Sequence, residues 1–319
     1  MFDRPIALLK RYWIEACILA FGLGALNFVF FAKAFRATGT IDATTAGQLG
    51  DFVGGYVGSY FALVSVVLLF ATLNSQRKVY ELQSFENKYF ELLKMHRENV
   101  AELELQTTTG RKVFVLLIRE LRSLLRVVNS VASKSEHELT QNQRMQIAYY
   151  CLYYGTGPNS TRMLRQAFLN FNPGFDVALT EAIIEEISRP EVKRHARKSK
   201  KFAFVPFEGH QPRLGHYYRH LYQAVRYVDH QTLKIDKYEY IKTIRAQLTT
   251  HEQALLLLNS RTPIGNDWWD AGFIKNYRMV QNLPEDFFNP KTELDLKTLF
   301  PANYFEWQDT KNANETSPA

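Results

Sequence analysis

The sequence predicts an all-α protein with two N-terminal transmembrane helices, followed by a long stalk helix and a cytosolic helical bundle. Two apolar runs in the first 73 residues are nearly free of charge, which is typical of membrane-spanning helices. Much of the remaining chain carries apolar residues at three- and four-residue steps, the spacing of amphipathic helices. The sequence shows neither strand–helix alternation nor a sustained two-residue period, so no large β-sheet is predicted.

Composition indicates a well-packed body of one or two domains. The chain has 319 residues, including 23 Phe and 17 Tyr, and a formal net charge of +7. Its two cysteines, Cys17 and Cys151, do not have the spacing of a metal site. We expect both to be reduced, which suits a cytosolic body, and we predict no metal and no other cofactor.

The second apolar run, Phe52–Leu73, is the clearest membrane span in the sequence. Its 22 uncharged residues suffice to cross a hydrocarbon core of roughly 30 Å as a helix. The first run, residues 16–32, is long for a signal peptide, and Lys33 stands where small residues would mark a cleavage site. We therefore expect a membrane anchor over residues 1–73, with spans at about 13–34 and 52–73.

Charge at the ends of the two spans predicts their direction. The link between the spans carries Arg36 against Asp42 and Asp51, so it has no excess of positive charge. The positive-inside rule then places both termini in the cytoplasm, which in a bacterium means a multi-pass protein of the inner membrane with the lipid bilayer as a partner. The outer ends of the pair carry five basic residues, Arg4, Lys10, Arg11, Arg77 and Lys78.

Small residues recur at four-residue steps in the second span, and such residues let helix backbones approach closely. One interpretation is that the two spans pack against each other. The other is that the same face also packs between subunits and makes a homo-oligomer. The residues of this stripe are Gly50, Gly54, Gly58 and Ala62.

Residues 74–131 predict a stalk built as a helical hairpin. Neither Gly nor Pro occurs from Asn74 to Gln106, so the second span is expected to continue as a helix beyond the membrane. Thr107–Gly110 interrupts the apolar pattern, and Arg111–Val131 is a second amphipathic helix.

Residues 132–308 predict a cytosolic α-helical domain, and the polar residues 309–319 predict a disordered tail. Phe202–Phe207 is interpreted as a short extended piece, Asn266–Leu283 as a full or partial helix, and Asp295–Trp307 as the closing segment. The other predicted helices of this domain are Gln141–Tyr154, Ser160–Asn170, Asp176–Ser188, Leu214–Val228 and Tyr238–Leu258.

A basic run, KRHARKSKK, occupies Lys193–Lys201. A solvated loop is the usual structure of such a run, and it is the interpretation we favour. Contact with anionic lipid headgroups or with nucleic acid stays open, and the membrane tether favours lipid over nucleic acid. The cations of this predicted basic surface are Lys193, Arg194, Arg197, Lys198, Lys200 and Lys201.

His216 and His220 lie four residues apart, so they share one face of a helix. The same spacing binds zinc in HExxH sites. Here Tyr, Tyr and Arg stand between the two histidines, so the Glu that acts as general base is missing. No third ligand is evident, and a metal site is not predicted.

Arginine and histidine together allow another interpretation, the R-x(4–6)-H motif of HEPN-type ribonucleases. There the arginine binds phosphate and the histidine transfers a proton. Arg213 with His220 and Arg245 with His251 have this spacing, but the polar residue that usually follows the motif arginine is absent. A structural role, in which Arg219 and His220 bond helix ends or buried carbonyls, is the alternative. The candidate catalytic residues are Arg213, His216, Arg219, His220 and Arg245.

Several long segments resemble one bacterial protein family. They are QLGDFVGGYVGSYFALVSVVLLFATLNSQ (48–76), SFENKYFELLKMHRENV (84–100), GRKVF (110–114), GHQPRLGHYYRHLYQAVRYVD (209–229) and YIKTIRAQLTTHEQALLLLNS (240–260). In content and order they resemble the putative phage abortive infection protein family, over most of residues 48–280. The resemblance implies a role in antiviral defence, in which an infected cell stops growing or dies before the phage matures. It supplies no catalytic residues.

Three hypotheses of different classes follow. The first is a membrane-anchored sensor and effector without catalysis, which responds to a phage-derived trigger. The second is a membrane-tethered ribonuclease of HEPN type that uses Arg and His of residues 213–251, and the third is a non-catalytic membrane scaffold for a partner protein. The sequence has no established catalytic motif, which favours the first.

Overall fold

Most of the described part of the chain is helical, and its strands form one two-stranded hairpin, which confirms the all-α class. The chain divides into two compact units, Met1–Phe85 and Glu86–Ala319. The tail predicted as disordered, 309–319, lies outside the described residues, as does most of the first predicted span. The computed structural model describes residues 43–135, 138–171 and 175–308, together with 17, 20–24 and 27.

The first described helix, α1, runs from Ala43 to Glu102 and contains the predicted second span. Within the described residues, its Gly50–Glu102 part is the one helix long and apolar enough to cross a membrane, and none of its apolar window is buried. The helix does not end where the apolar run ends. This agrees with the prediction from the absence of Gly and Pro after Asn74.

Few residues of the predicted first span are described, and these few are helical. The ring centroid of Phe21 lies 5.2 Å from that of Tyr60 on α1. A β-carbon on Gly22 would lie 2.6 Å from the Phe61 ring. Residues 20–24 thus contact α1 within the first unit, and a second membrane span stays a prediction.

The second unit begins with the last part of α1, from Glu86, and the antiparallel hairpin of β1 (Glu104–Leu105) and β2 (Thr108–Thr109) follows, in which Glu104 lies opposite Thr109. Short helices follow it. They are α2 (Lys112–Ala132), α3 (Gln141–Tyr154), α4 (Ser160–Phe171), α5 (Val177–Ser188), α6 (Pro190–Lys200), α7 (Gln211–Asp229), α8 (Lys237–Arg245), α9 (Thr250–Ser260), α10 (Asp267–Asp270), α11 (Phe273–Asn276) and α12 (Leu296–Leu299).

Helix α2 lies at the centre of the second unit and packs on α3, α5 and α9. Its apolar residues recur every three or four positions, so they form one continuous face. That face is buried and supplies the middle of the core with Val113, Phe114, Leu117, Leu121, Leu124 and Val128.

The basic run is part of a helix, so the prediction of a loop was wrong. Helix α6 begins at Pro190, whose fixed φ suits the first helical turn, and Glu191 follows in that turn. Three cations occupy its last turn, where they interact favourably with the helix dipole. The sequence interpretation was based on the high density of Lys and Arg and overlooked these signals of the helix start and end.

The predicted helix Tyr238–Leu258 is two helices, because a capping box starts α9. The Thr249 hydroxyl accepts a hydrogen bond from the Glu252 backbone N–H at 3.4 Å, and the Thr249 N–H donates to the Glu252 carboxylate at 2.7 Å. Asn266–Leu283 is partly helical, with the one-turn helices α10 and α11, so the expectation of a partial helix agrees with the structure. Phe202–Phe207 forms turns and bends, so the expectation of an extended piece was wrong.

A buried polar contact holds the loop before α7 against α2. Glu120 accepts hydrogen bonds from the Phe207 N–H at 2.6 Å and pairs with His210 Nε2 at 2.8 Å. Nearby, Gly155 and Gly209 approach so closely that a β-carbon on Gly209 would lie 2.0 Å from the Tyr154 carbonyl oxygen. These contacts fix the position at which α7 begins.

Candidate functional site

A polar pocket of about 390 Å³ opens beside α7 in the second unit. Helix α7 supplies one wall, and the segment from the end of α9 to α10 supplies another. We call it the α7 pocket. Its residues from one face of α7 include Gly215, Arg219, Tyr222 and Arg226.

The sequence of α7 explains why this face lines a pocket. Leu214, Tyr217, Leu221 and Val225 recur at three- and four-residue steps and are buried in the core. Arg219 and Arg226 lie on α7 outside this buried set, and both line the pocket.

The wall opposite α7 depends on a close approach at the end of α9. A β-carbon on Gly265 would lie 2.3 Å from Asn259 Oδ1, so only glycine fits there without a shift. Asn259 is buried, and its Nδ2 has no hydrogen-bond partner among the described residues. Burial raises the pKa of Tyr149 well above its usual range, and the Asn259 side chain opposes that rise, so this amide interacts with Tyr149.

Aromatic side chains give the α7 pocket rigid edges. The buried Trp268 ring lies nearly perpendicular to the Tyr222 ring at a centroid distance of 5.2 Å. Burial, and then Tyr154, raise the pKa of Tyr153 to about 12, against the opposing charge of Arg219. Tyr153 consequently keeps its proton at neutral pH and can donate a hydrogen bond.

The groups of the α7 pocket suit binding. Arg219, Arg226 and Tyr153 are donors at neutral pH, whereas Asp267 is an acceptor. Among the described lining residues we find no nucleophile held by a general base, the arrangement that covalent catalysis requires. The pocket fits a ligand rich in acceptor oxygens.

Comparison with known proteins bears on the same segment. Residues 209–288 match the model of a family described as putative phage abortive infection protein. This match confirms the family resemblance. All residues that line the α7 pocket except Tyr153 lie within the matched segment. No curated protein and no solved structure matches the chain.

The matched segment contains the predicted histidine pair, whose rings lie 4.5 Å apart on α7. Burial is the first cause that lowers the pKa of His220, followed by His216 and the charge of Arg219. In the part of the chain that the structure describes, no group of three or more metal-ligating side chains could hold an ion. Of the candidate catalytic residues, Arg219 is the one that lines the α7 pocket.

The two Arg–His pairs of the ribonuclease interpretation have other partners. Arg213 Nε donates to the Glu104 carbonyl at 2.7 Å, and the buried Arg245 donates to the Tyr277 carbonyl at 2.8 Å. His251 packs its ring on Phe287 at 5.4 Å. No contact between described residues joins either arginine to its histidine.

Half of the predicted basic surface is engaged within the second unit. Lys193 Nζ donates to the Thr156 carbonyl at 3.1 Å, and burial lowers the pKa of Lys193. Arg194 pairs with Glu191 at 2.9 Å, and Arg197 donates to the carbonyls of residues 202 and 203. The cations with no side-chain hydrogen bond or ion pair in the described structure are Lys198, Lys200 and Lys201.

The small-residue stripe of α1 is not covered by the described part of the chain. No described atom lies within 4 Å of a β-carbon built on Gly50, Gly54 or Gly58, and Ala62 is exposed. Its predicted role in helix packing or oligomerisation stays a prediction.

The sequence interpretation missed most of the α7 pocket. Gly215, Arg219, Tyr222 and Arg226 follow one another at steps of four, three and four, so their shared face was visible in the sequence. No sequence signal indicates Asn259, because its position opposite α7 depends on how α9 packs.

Proposed function

We propose that this protein is a membrane-anchored abortive infection protein that senses a phage-derived trigger in the α7 pocket. The observation that carries the proposal is the coincidence of the pocket with the family-matched segment. Two arginines on one helix face and fixed aromatic edges give this pocket the means to recognise a polar ligand. The cytosolic body is the sensor in this proposal.

Location at the bacterial inner membrane is part of the proposal, with two spans and both termini in the cytoplasm. The unburied apolar window of α1 supports it, because a core helix of a soluble protein would bury such a window. The distribution of basic residues around the predicted spans supports the orientation.

The effector step that we propose is a change in membrane integrity brought about by assembly. The open stripe of Gly50, Gly54 and Gly58 supports it, because small residues allow close helix contacts between copies in lipid. A ribonuclease would need an assembled Arg–His pair, and the described partners of Arg213 and Arg245 lie elsewhere. No feature of the described residues specifically favours the scaffold hypothesis.

Phage challenge of Arg219→Ala and Arg226→Ala tests the sensing pocket. Each substitution removes a charge-assisted hydrogen bond of about 1.5–3 kcal/mol, so ligand binding is expected to weaken roughly tenfold or more. We expect a clear rise in plaque number relative to wild type. Arg162→Ala, which removes an exposed arginine of α4 outside the pocket, is the matched control. Full protection by both pocket variants, at wild-type membrane levels, would refute the sensing role.

A potential-sensitive dye tests the effector step separately. Infected cells that carry the wild type are expected to lose membrane potential before lysis, whereas cells that carry Arg219→Ala should keep it longer. If infected cells that carry the wild type die while their membrane potential stays intact, the membrane effect is excluded. This conclusion does not depend on what the plaque assay shows about the pocket.

A further inference from the structure

A second cavity, of about 680 Å³, lies at the start of the second unit. One wall is the part of α1 that carries His96 and Arg97, and the other is the segment from Thr107 to Lys112. This hairpin cavity shares no lining residue with the α7 pocket. All of its lining residues belong to the second unit.

Charge in the hairpin cavity is of one sign. Arg97, Arg111 and Lys112 line it, and no acidic side chain does. Arg111 Nη2 donates a hydrogen bond to the Gln247 carbonyl at 2.9 Å. This contact fixes the side chain and leaves the other N–H donors of the guanidinium available. Three threonine side chains, at positions 107–109, add hydroxyl groups to the same wall.

The N-terminus of α2 opens at this cavity. The helix has 21 residues, no side chain caps its first turn, and no acidic residue lies in that turn. Gly110, with φ of +65°, turns the chain into the helix immediately before it. The N–H groups of Val113 and Phe114 donate to the carbonyls of Gly110 and Arg111, so the positive end of the helix dipole, which has no acidic side chain in its first turn, is what this end offers an anion.

A buried histidine gives an independent indication of a ligand. His96 is 1 % exposed, and neither ring nitrogen has a hydrogen-bond partner in the described structure. Its ring packs on Tyr217 at a centroid distance of 5.3 Å. Buried polar side chains in folded proteins are nearly always hydrogen-bonded, so the expected partner of this imidazole is a ligand or a water that a ligand can replace. The groups that face it are His220 and Arg111, and burial together with these groups lowers the pKa of His96 to about 4. The imidazole is therefore neutral at pH 7 and carries one N–H donor.

We propose that the hairpin cavity binds the phosphate group of a small phosphorylated molecule. Arg97, Arg111 and Lys112 supply the charge, the N-terminus of α2 supplies the positive end of its dipole, and His96 donates a hydrogen bond from the cavity wall. The same phosphate chemistry occurs in soluble nucleotides and in phospholipid headgroups, which an experiment can separate.

Thermal unfolding of the full chain, purified in a phosphate-free detergent, tests the proposal. Trp268, Trp269 and Trp307 report on the second unit by fluorescence. The soluble probes are inorganic phosphate and adenosine 5′-monophosphate, and the lipid probe is phosphatidic acid in phosphatidylcholine nanodiscs. A rise in Tm with a soluble probe identifies a soluble ligand, and a rise with phosphatidic acid alone identifies a headgroup. No rise with any of the three probes overturns the proposal.

Variants decide whether the response comes from this cavity. Arg97→Gln removes an exposed cation for which no hydrogen bond is described, so folding should be unaffected, and the apparent Kd should rise at least about tenfold. His96→Phe keeps a ring beside Tyr217 but removes both nitrogens. We expect it to weaken binding, whereas a purely structural role would lower Tm without ligand and leave Kd unchanged. Arg162→Gln is the control, and equal Kd values for wild type and Arg97→Gln would overturn the site.

Discussion

Three arginines to which the sequence assigned one catalytic role have different surroundings in the folded protein. Arg213 donates to a carbonyl of β1, Arg245 is buried against the 277–278 turn, and Arg219 lines the α7 pocket. The sequence was sufficient to select these arginines as chemically important residues. It was not sufficient to predict their hydrogen-bond partners. At the residue scale, burial and the nearest acceptor decide whether a guanidinium supports the fold or faces a ligand.

The buried imidazole of His96 makes stability depend on pH. The folded protein takes up this proton only near pH 4, whereas the unfolded chain takes it up near pH 6.5. Between these values the unfolded state binds more protons, so the free energy of unfolding falls as pH falls. From pH 7 to pH 5 we expect a loss of about 2 kcal/mol from this residue.

Denaturant unfolding of wild type and His96→Gln at both pH values, in phosphate-free buffer, measures this loss. The variant lowers stability at both pH values, but its drop between pH 7 and pH 5 should be smaller by about 2 kcal/mol. Equal drops for the two proteins would mean that His96 does not titrate between the folded and unfolded states.

At the element scale, caps and close backbone contacts determine where helices begin and end at positions that apolar periodicity does not specify. The Thr249–Glu252 capping box divides what periodicity alone presents as one helix into α8 and α9. The T-x-x-E pattern at 249–252 was visible in the sequence, as was the proline that starts α6. The contact of Gly155 with Gly209 was not visible, because it joins residues 54 positions apart.

Replacement of Gly209 tests this contact. Its φ of +91° is unfavourable for other residues, and an added β-carbon would meet the Tyr154 carbonyl at 2.0 Å. We expect Gly209→Ala to lower the free energy of unfolding by about 2–4 kcal/mol. Gly110→Ala also has positive φ but no atom nearer than 3.9 Å, so it should cost only about 1–2 kcal/mol. Similar costs for the two variants, measured by tryptophan fluorescence in denaturant, would show that the close approach does not matter.

At the scale of the whole molecule, one chain contains a unit with a long apolar helix and a second, helical unit with its own core. The second unit has a packed core around α2, whereas none of the apolar window of α1 is buried in the described structure. An uncovered apolar helix needs lipid or another copy of the chain as its environment.

Leucine in the small-residue stripe tests association between copies. The double variant Gly54→Leu/Gly58→Leu should insert in the membrane as the wild type does, because apolarity is kept. Loss of close backbone approach should weaken association by about tenfold or more. Crosslinking in membranes measures this, with Gly55→Leu as control because it has the same open surroundings outside the stripe. Identical crosslinked species for both variants and wild type would argue against assembly through this face.

The sequence by itself determined the all-α class, the apolar helix of residues 52–73 with its uninterrupted continuation, and the bounds of α3. It also determined the family resemblance, predicted over most of residues 48–280 and supported by the match over 209–288. These features depend on local periodicity, turn residues and composition, which one chain displays directly.

Only the tertiary structure decided which polar residues meet. Helix periodicity is sufficient to predict that Arg219 and Arg226 share one face of α7. Asn259 lines the same pocket because α9 packs beside α7. Likewise, His96 and Arg111 line one cavity because the β1–β2 hairpin returns the chain to α1. Such contacts depend on the packing of elements far apart in sequence, and no local pattern records which faces will come together.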